Sequence, residues 1–354
     1  MKRMDAAVLG ATGMIGQRFV QLLEDHPYFD ISSLNASERS EGKTIKEVLK
    51  VKDHDFKEET LEGVIQQIDV DRIARECRIA FSGLPSDIAR GVETELAERG
   101  VAVFSNASSH RMREDVPLLI PEVNPDHLDM IETQETWEGG GFIVTNANCS
   151  TTGIALPLAA LHRAFGLGMV SVSTYQAVSG AGYPGVSSLD ILGNILPHIR
   201  GEEEKMEEEI LKMLGTLEDG RVRPAGFDFL ANCARVPVHD GHLESMTLTL
   251  EGEPDLDGIR SALSGFRADP QELELPTAPR EPIMVMDEED RPQPLLDSYA
   301  GEPARAKGMA VCVGRLRKKD TYYKLFALSH NTLRGGAGGS VLNAELAVSK
   351  GHLR

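Results

Sequence analysis

Short apolar runs alternate with amphipathic stretches through the first half of the chain. Ala6 to Leu9 is a continuous apolar run and reads as a strand, while Met14 to Leu23 carries its apolar side chains at helical spacing. Ile31 to Asn35, Ile79 to Phe81, Val101 to Phe104 and Phe142 to Thr145 read as further strands. Helices are expected from about Asp87 to Arg99 and from Thr152 to Phe165. Buried strands that alternate with helices predict a parallel, doubly wound sheet.

The pattern changes after residue 150. Val170 to Val178 reads as a strand, and Met246 to Glu251 alternates apolar and polar side chains. Ala310 to Arg317 and Tyr322 to Ser329 flank Lys318-Lys319-Asp320, which reads as a hairpin turn. This half predicts a mainly antiparallel sheet with helices on one side. The Pro- and Glu-rich stretch from Gln271 to Arg291 reads as a surface excursion, and Gly339 to Lys350 as a helix that returns to the first domain. The expected fold class is α/β: an N-terminal Rossmann-like domain over residues 1–148 and a second α+β domain over 149–330. Residues 331–354 are expected to pack back on the first domain.

Composition narrows the functional classes. A chain of 354 residues suits about two domains, and 41% hydrophobic with 26% charged residues is ordinary for a water-soluble fold. No run reaches the roughly 18 apolar residues of a membrane span. No apolar segment with a cleavage site precedes the first strand, so a cytoplasmic location is expected. A net charge of −18 disfavours nucleic acid and anionic membrane as partners. Any anionic ligand then needs local basic residues. The four cysteines (77, 149, 233 and 312) lack metal-type spacing and fit a reducing compartment.

Gly10-Ala11-Thr12-Gly13-Met14-Ile15-Gly16 follows the first strand and opens the first helix. In that context Gly10 permits a tight turn, Gly13 lets the backbone approach a pyrophosphate, and Gly16 lets helix pack on strand. The spacing is G-x-x-G-x-x-G rather than the usual dinucleotide fingerprint. At the end of the second strand, Ser37, Arg39 and Ser40 suit a 2′-phosphate better than a ribose diol, so NADP (NADPH) is the expected cofactor; Glu38 is the one residue that could serve a diol.

Cys149 follows a β-branched run and precedes a helical stretch. A thiol at a helix start meets free N–H groups and the positive end of the macrodipole, so a lowered pKa and a nucleophilic thiolate are expected. Its proton partner is sought in Arg235 to His242, where His242 follows a glycine at a strand–turn–strand junction; His239 is the second choice. The His-x-x-His spacing has no further ligand cluster, and no metal is expected.

These segments together resemble the aspartate-semialdehyde dehydrogenases of archaea and fungi. The likeness spans essentially the whole chain: the 10–16 loop, Ser105 to Arg111, Asn146 to Cys149, Thr174 to Gly180, Glu202 to Lys205, Arg235 to His242, and Asn331 to Gly339. The resemblance implies Cys149 as nucleophile and His242 as acid/base. It also implies Arg235 on the substrate α-carboxylate, Gln176 orienting substrate, Glu202 on the substrate amino group, and Arg111 and Lys205 on phosphate. Asn148 is expected to help hold the oxyanion with backbone N–H groups. Thr12, Met14, Ile15, Ser179, Gly180 and Asn331 complete the implied cofactor contacts. Taken alone, the glutamate-rich run around Lys205 would read as a solvated helix face.

The implied reaction converts L-aspartyl 4-phosphate to L-aspartate 4-semialdehyde and phosphate, through a cysteine thioester, in a homodimer or homotetramer. The alternatives are a malonyl-CoA reductase-type enzyme, an N-acetylglutamyl-phosphate reductase, and a non-catalytic nucleotide sensor.

Overall fold

The computed structural model describes residues 2–353; Met1 and Arg354, the outermost residues of the expected domain ranges, lie outside them. The first sheet is built from β1 (Met4–Leu9), β2 (Phe29–Ala36), β3 (Ile65–Gln67), β4 (Ile79–Ser82), β5 (Ala102–Ser105), β6 (Leu118–Leu119) and β7 (Phe142–Asn146). Its order is β3-β2-β1-β4-β5-β7-β6, and every pairing is parallel. Successive residues of a strand face opposite sides, so β1 feeds two cores. Ala6 and Val8 pack with Phe19, Phe81 and Phe104 on one side, and Ala7 and Leu9 with Ile73, Leu96 and Val103 on the other. Both faces are therefore covered, which is why these strands are apolar throughout rather than alternating.

The terminal helix, Gly338–Ser349, lies in the first of those cores, with Val341, Leu342 and Leu346 fully buried. Its Glu345 is buried too, and accepts hydrogen bonds from the backbone N and the hydroxyl of Thr277. Thr277, Leu275 and Ile283 are buried, and Ile283–Val285 forms an edge strand. The expected surface excursion over 271–291 is thus corrected: its prolines and glutamates suggested exposure, but the segment is stitched to the terminal helix and to the second sheet.

The second sheet comprises β8 (Leu167–Gln176), β11 (Asp228–Arg235), β12 (His242–Leu250), β13 (Ile283–Val285), β14 (Val311–Lys319) and β15 (Tyr322–Ser329). A separate small hairpin, β9 (Thr216–Glu218) and β10 (Arg221–Arg223), stands apart. The order β11-β8-β12-β15-β14-β13 has antiparallel inner pairings and a parallel pairing at each edge. Helices Cys149–Phe165, Glu202–Met213 and Leu256–Ser264 share one apolar cluster with this sheet. The expected strand to Val178 ends instead at Gln176, and Val178–Ala181 forms a 3-10 turn held by the Val238 and His239 carbonyls.

Candidate active site

The glycine loop joins β1 to helix Met14–Leu23. Gly10 has φ +80°, a conformation that side-chain-bearing residues rarely adopt. A Cβ on Gly16 would sit 2.0 Å from the Gly10 carbonyl oxygen, so only glycine lets the helix approach this turn. Gly13 is the N-cap and offers no side chain to the first-turn N–H groups, leaving them for a ligand. Lys50 donates from Nζ to the Thr12 carbonyl at 2.7 Å and lies over the Tyr183 ring.

This loop lines a cleft of about 910 Å³. Gly10, Thr12, Gly13, Met14, Ile15, Ser37 and Glu38 share its wall with Arg111, Asn148, Cys149, Ser179, Gly180 and Asn331. The cleft lies at the carboxyl ends of the parallel strands, the usual ligand position of such sheets. Gly16 is buried behind the wall, while Arg39 and Ser40 belong to the 3-10 turn Glu38–Ser40 at its lip and do not line it; Arg39 is exposed. The surroundings fit a dinucleotide: a side-chain-free helix start, a turn that admits backbone contact, and a lysine beside it.

Cys149 is the first residue of its helix, and Asn148 is the N-cap, its Oδ1 accepting from the backbone N of Ser150 and Thr151. The Cys149 Sγ lies 3.2 Å from His242 Nε2. His242 Nδ1 accepts from the Ala177 N–H at 3.1 Å. That bond leaves the proton of a neutral ring on Nε2, facing the sulfur. His242 is fully buried, and burial, with help from Arg235 and His330, holds its pKa well below the ordinary 6.5. His239 is an exposed side chain paired with Asp240. Among the described residues no cluster of His, Cys, Asp or Glu could hold a metal ion.

The helix start does not produce the expected low thiol pKa. Burial pushes Cys149 up from 9.0 to about 12; Glu202 adds to the rise, and Arg235 and Arg111 oppose it. A rise of that size is about 4 kcal/mol, against roughly 0.3–2 kcal/mol available from a helix terminus. Sequence shows the helix start but neither the depth of the sulfur nor the carboxylate beside it.

Asn148 Oδ1 caps the helix and one Nδ2 hydrogen goes to Glu202 Oε1 at 2.9 Å, which leaves the second Nδ2 hydrogen for the expected oxyanion contact. Gln176 Nε2 donates to the same Glu202 oxygen at 3.2 Å. Arg235 is buried and donates from Nη1 to the Ala177 carbonyl at 2.8 Å. Arg111 is buried and paired with Glu209 at 2.8 Å. Lys205 is half-buried on the helix that carries Glu202, and does not line the cleft. That helix, Glu202–Met213, is no solvated face: Glu202, Met206, Glu209 and Met213 form a buried stripe. Asn331 bridges the walls, donating to Ser179 Oγ and accepting from Gly241 N.

Lys50, Tyr183 and Glu209 are parts of this site that the sequence reading missed. Lys50 sits in no motif. Glu209 was one glutamate among many, and its spacing of seven from Glu202 is the signal that could have placed both on one face.

A family model described as semialdehyde dehydrogenase, NAD binding domain, matches residues 5–131, and one described as semialdehyde dehydrogenase, dimerisation domain, matches residues 158–334. The aspartate-semialdehyde dehydrogenase of Methanothermobacter thermautotrophicus is 48% identical over 347 residues, covering 97% of this chain and 98% of that protein. That of Aspergillus fumigatus is 44% identical, covering 98% and 97%. Among solved structures, Candida albicans aspartate semialdehyde dehydrogenase with NADP superposes with a TM-score of 0.88 at 39% identity, covering 98% of this chain and 99% of that one.

Proposed function

The chain belongs to the aspartate-semialdehyde dehydrogenase family, and on that basis we propose that it reduces L-aspartyl 4-phosphate to L-aspartate 4-semialdehyde, releasing phosphate. The observation that carries this reading is the Cys149–His242 contact of 3.2 Å, with Cys149 lining the same cleft as the glycine loop. NADPH, when bound, supplies the hydride. Gly10, Thr12, Gly13, Met14 and Ile15 would hold its pyrophosphate, Ser37 with Arg39 and Ser40 its 2′-phosphate, and Ser179, Gly180 and Asn331 the nicotinamide end. Gly16 contributes through packing.

Cys149 attacks the acyl carbon as the bond to phosphate breaks, and the phosphate leaves toward Arg111 as hydrogen phosphate carrying the thiol proton, with Lys205 as the second cation. A thioester on the sulfur divides one hard step into two. At the helix start the N–H groups of Ser150 and Thr151 are taken by the Asn148 cap and that of Asn148 by Glu209, which leaves the Cys149 N–H for the developing oxyanion. Arg235 grips the substrate α-carboxylate, Gln176 orients the substrate, and Glu202 receives its ammonium group. Since Glu202 pushes the thiol up, an ammonium paired with it relieves that push, so the correct substrate favours its own nucleophile. His242 holds the proton at Nε2 beside the sulfur, and the reaction as a whole consumes one proton.

The named relatives support the acyl-phosphate reading and not the acyl-CoA one. We further propose a homodimer, or a tetramer built from it. Leu189, Leu192 and Ile195, and Leu230 on edge strand β11, are exposed large apolar side chains, which fits burial against a second copy. The four cysteines are free, which favours a reducing cytoplasm, and among the described residues no helix is long and apolar enough to cross a membrane.

The test is phosphate-dependent oxidation of aspartate semialdehyde with NADP, run beside malonyl-CoA reduction. Activity in the first assay only is expected, and Cys149→Ala should abolish it. Near-normal turnover by Cys149→Ala refutes covalent catalysis.

A further inference from the structure

Helix Glu202–Met213 reaches the site at three places. Glu202 accepts from the side chains of Asn148 and Gln176. Two turns on, Glu209 presents one oxygen to each of two partners. Oε1 accepts from Arg111 Nη1 at 2.8 Å, and Oε2 accepts from the backbone N of Asn148 at 2.7 Å. Three residues later, Lys212 donates from Nζ to the carbonyls of Arg111, Arg113 and Val116 at 2.7, 2.8 and 3.0 Å. Glu209 is 2% exposed and Arg111 7%. The remaining anchor of the guanidinium is Nη2, which donates to the Asn106 carbonyl at 2.8 Å.

Two features make this more than a structural ion pair. Asn148 is the N-cap of the helix that begins with Cys149, so the carboxylate that aims Arg111 also fixes the backbone one residue before the sulfur. Arg111 lines the same cleft as Cys149 and is one of the charges that oppose the rise of its thiol. A buried arginine whose two Nη groups are both anchored is aimed.

We propose that Glu209 is a positioning residue that locks the phosphate-binding arm and the nucleophile in register. The proposal rests on Arg111 being a phosphate contact. Glutamine at 209 offers a single oxygen, so one of the two donors loses its acceptor and the link is cut. Aspartate keeps the charge but is one methylene too short to span both partners.

The experiment measures the KM for phosphate in the oxidative direction, together with the rate of Cys149 alkylation, for the parent, Glu209→Gln, Glu209→Asp, Arg111→Ala and the double variant Glu209→Gln/Arg111→Ala. Both Glu209 variants are expected to raise the phosphate KM at least tenfold and to change the alkylation rate at least threefold, with the NADP KM within twofold of the parent. In the double variant the phosphate KM should be no higher than in Arg111→Ala alone. A purely structural role would instead add to the Arg111 effect and disturb NADP binding as well. Where Glu209→Gln does not fold, Glu209→Asp carries the test. If Arg111→Ala leaves the phosphate KM unchanged, the phosphate assignment fails. If Arg111→Ala raises it and the Glu209 variants stay within twofold of the parent on both readouts, the positioning role is overturned.

Discussion

Gly180→Ala offers a test of how closely the catalytic geometry is held. Gly180 has no unusual backbone conformation that alanine could not adopt, so the perturbation is one methyl group placed by an unchanged chain. That methyl carbon would lie 2.9 Å from Arg235 Nη1, 3.1 Å from His242 Cε1 and 3.2 Å from His242 Nε2. Ordinary contacts are roughly half an ångström longer. Neither neighbour can move freely, because Arg235 is bonded to the Ala177 carbonyl and His242 to the Ala177 N–H. The strain therefore falls on the 3.2 Å contact between His242 and Cys149. A misplacement of about 1 Å can cost ~10²-fold in rate, so a shift of about half that predicts roughly a tenfold loss in kcat. The semialdehyde KM should also rise, through Arg235. Steady-state kinetics with NADP and phosphate saturating, beside a thermal melt, separates this from unfolding. A variant with kcat and semialdehyde KM within twofold of the parent would show that the wall is soft and the reasoning wrong.

Three further outcomes are expected. With the Cys149 thiol pushed up to about 12, the thiolate fraction falls tenfold for each pH unit below that value, so iodoacetamide inactivation should climb steeply from pH 7 to 9; a plateau starting below pH 8 contradicts the burial argument. Arg39→Glu should raise the NADPH KM by tenfold or more and the NADH KM far less, since only NADPH carries the 2′-phosphate; equal effects sink the assignment. Leu192→Glu, at one of the exposed apolar side chains, should shift the protein toward monomer in light scattering after size-exclusion chromatography, and an unchanged mass removes that side chain from the interface.

Local chemistry made much of this protein legible in its sequence. The buried parallel strands announce themselves by continuous apolar runs, and the helix Met14–Leu23 by its spacing. The glycine loop is readable because its reasons are local: a positive φ at Gly10 and a close approach at Gly16. Cys149 and His242 stand out as candidates because each lies beside a turn, and the structure brings them within 3.2 Å of each other. The strands β3, β6, β9, β10, β11 and β13 went unread, five because they are three residues long or shorter and β11 because its polar residues break the alternation.

What sequence could not supply is whatever depends on meetings between distant segments. Glu209 meets Arg111 across 98 positions and Asn148 across 61, and its spacing of seven from Glu202 places it on that residue's face without showing what the face meets. The same holds for the thiol, whose surroundings decide its ionisation. A helix start is a property of a few consecutive residues, but the partial loss of water around the half-buried sulfur, and the carboxylate of Glu202 near it, come from elements brought together only by folding. Sequence thus determined which groups are present and which backbone shapes they favour. The tertiary structure decided their charge and their aim, because desolvation and Coulomb energy depend on distance through space and not on distance along the chain.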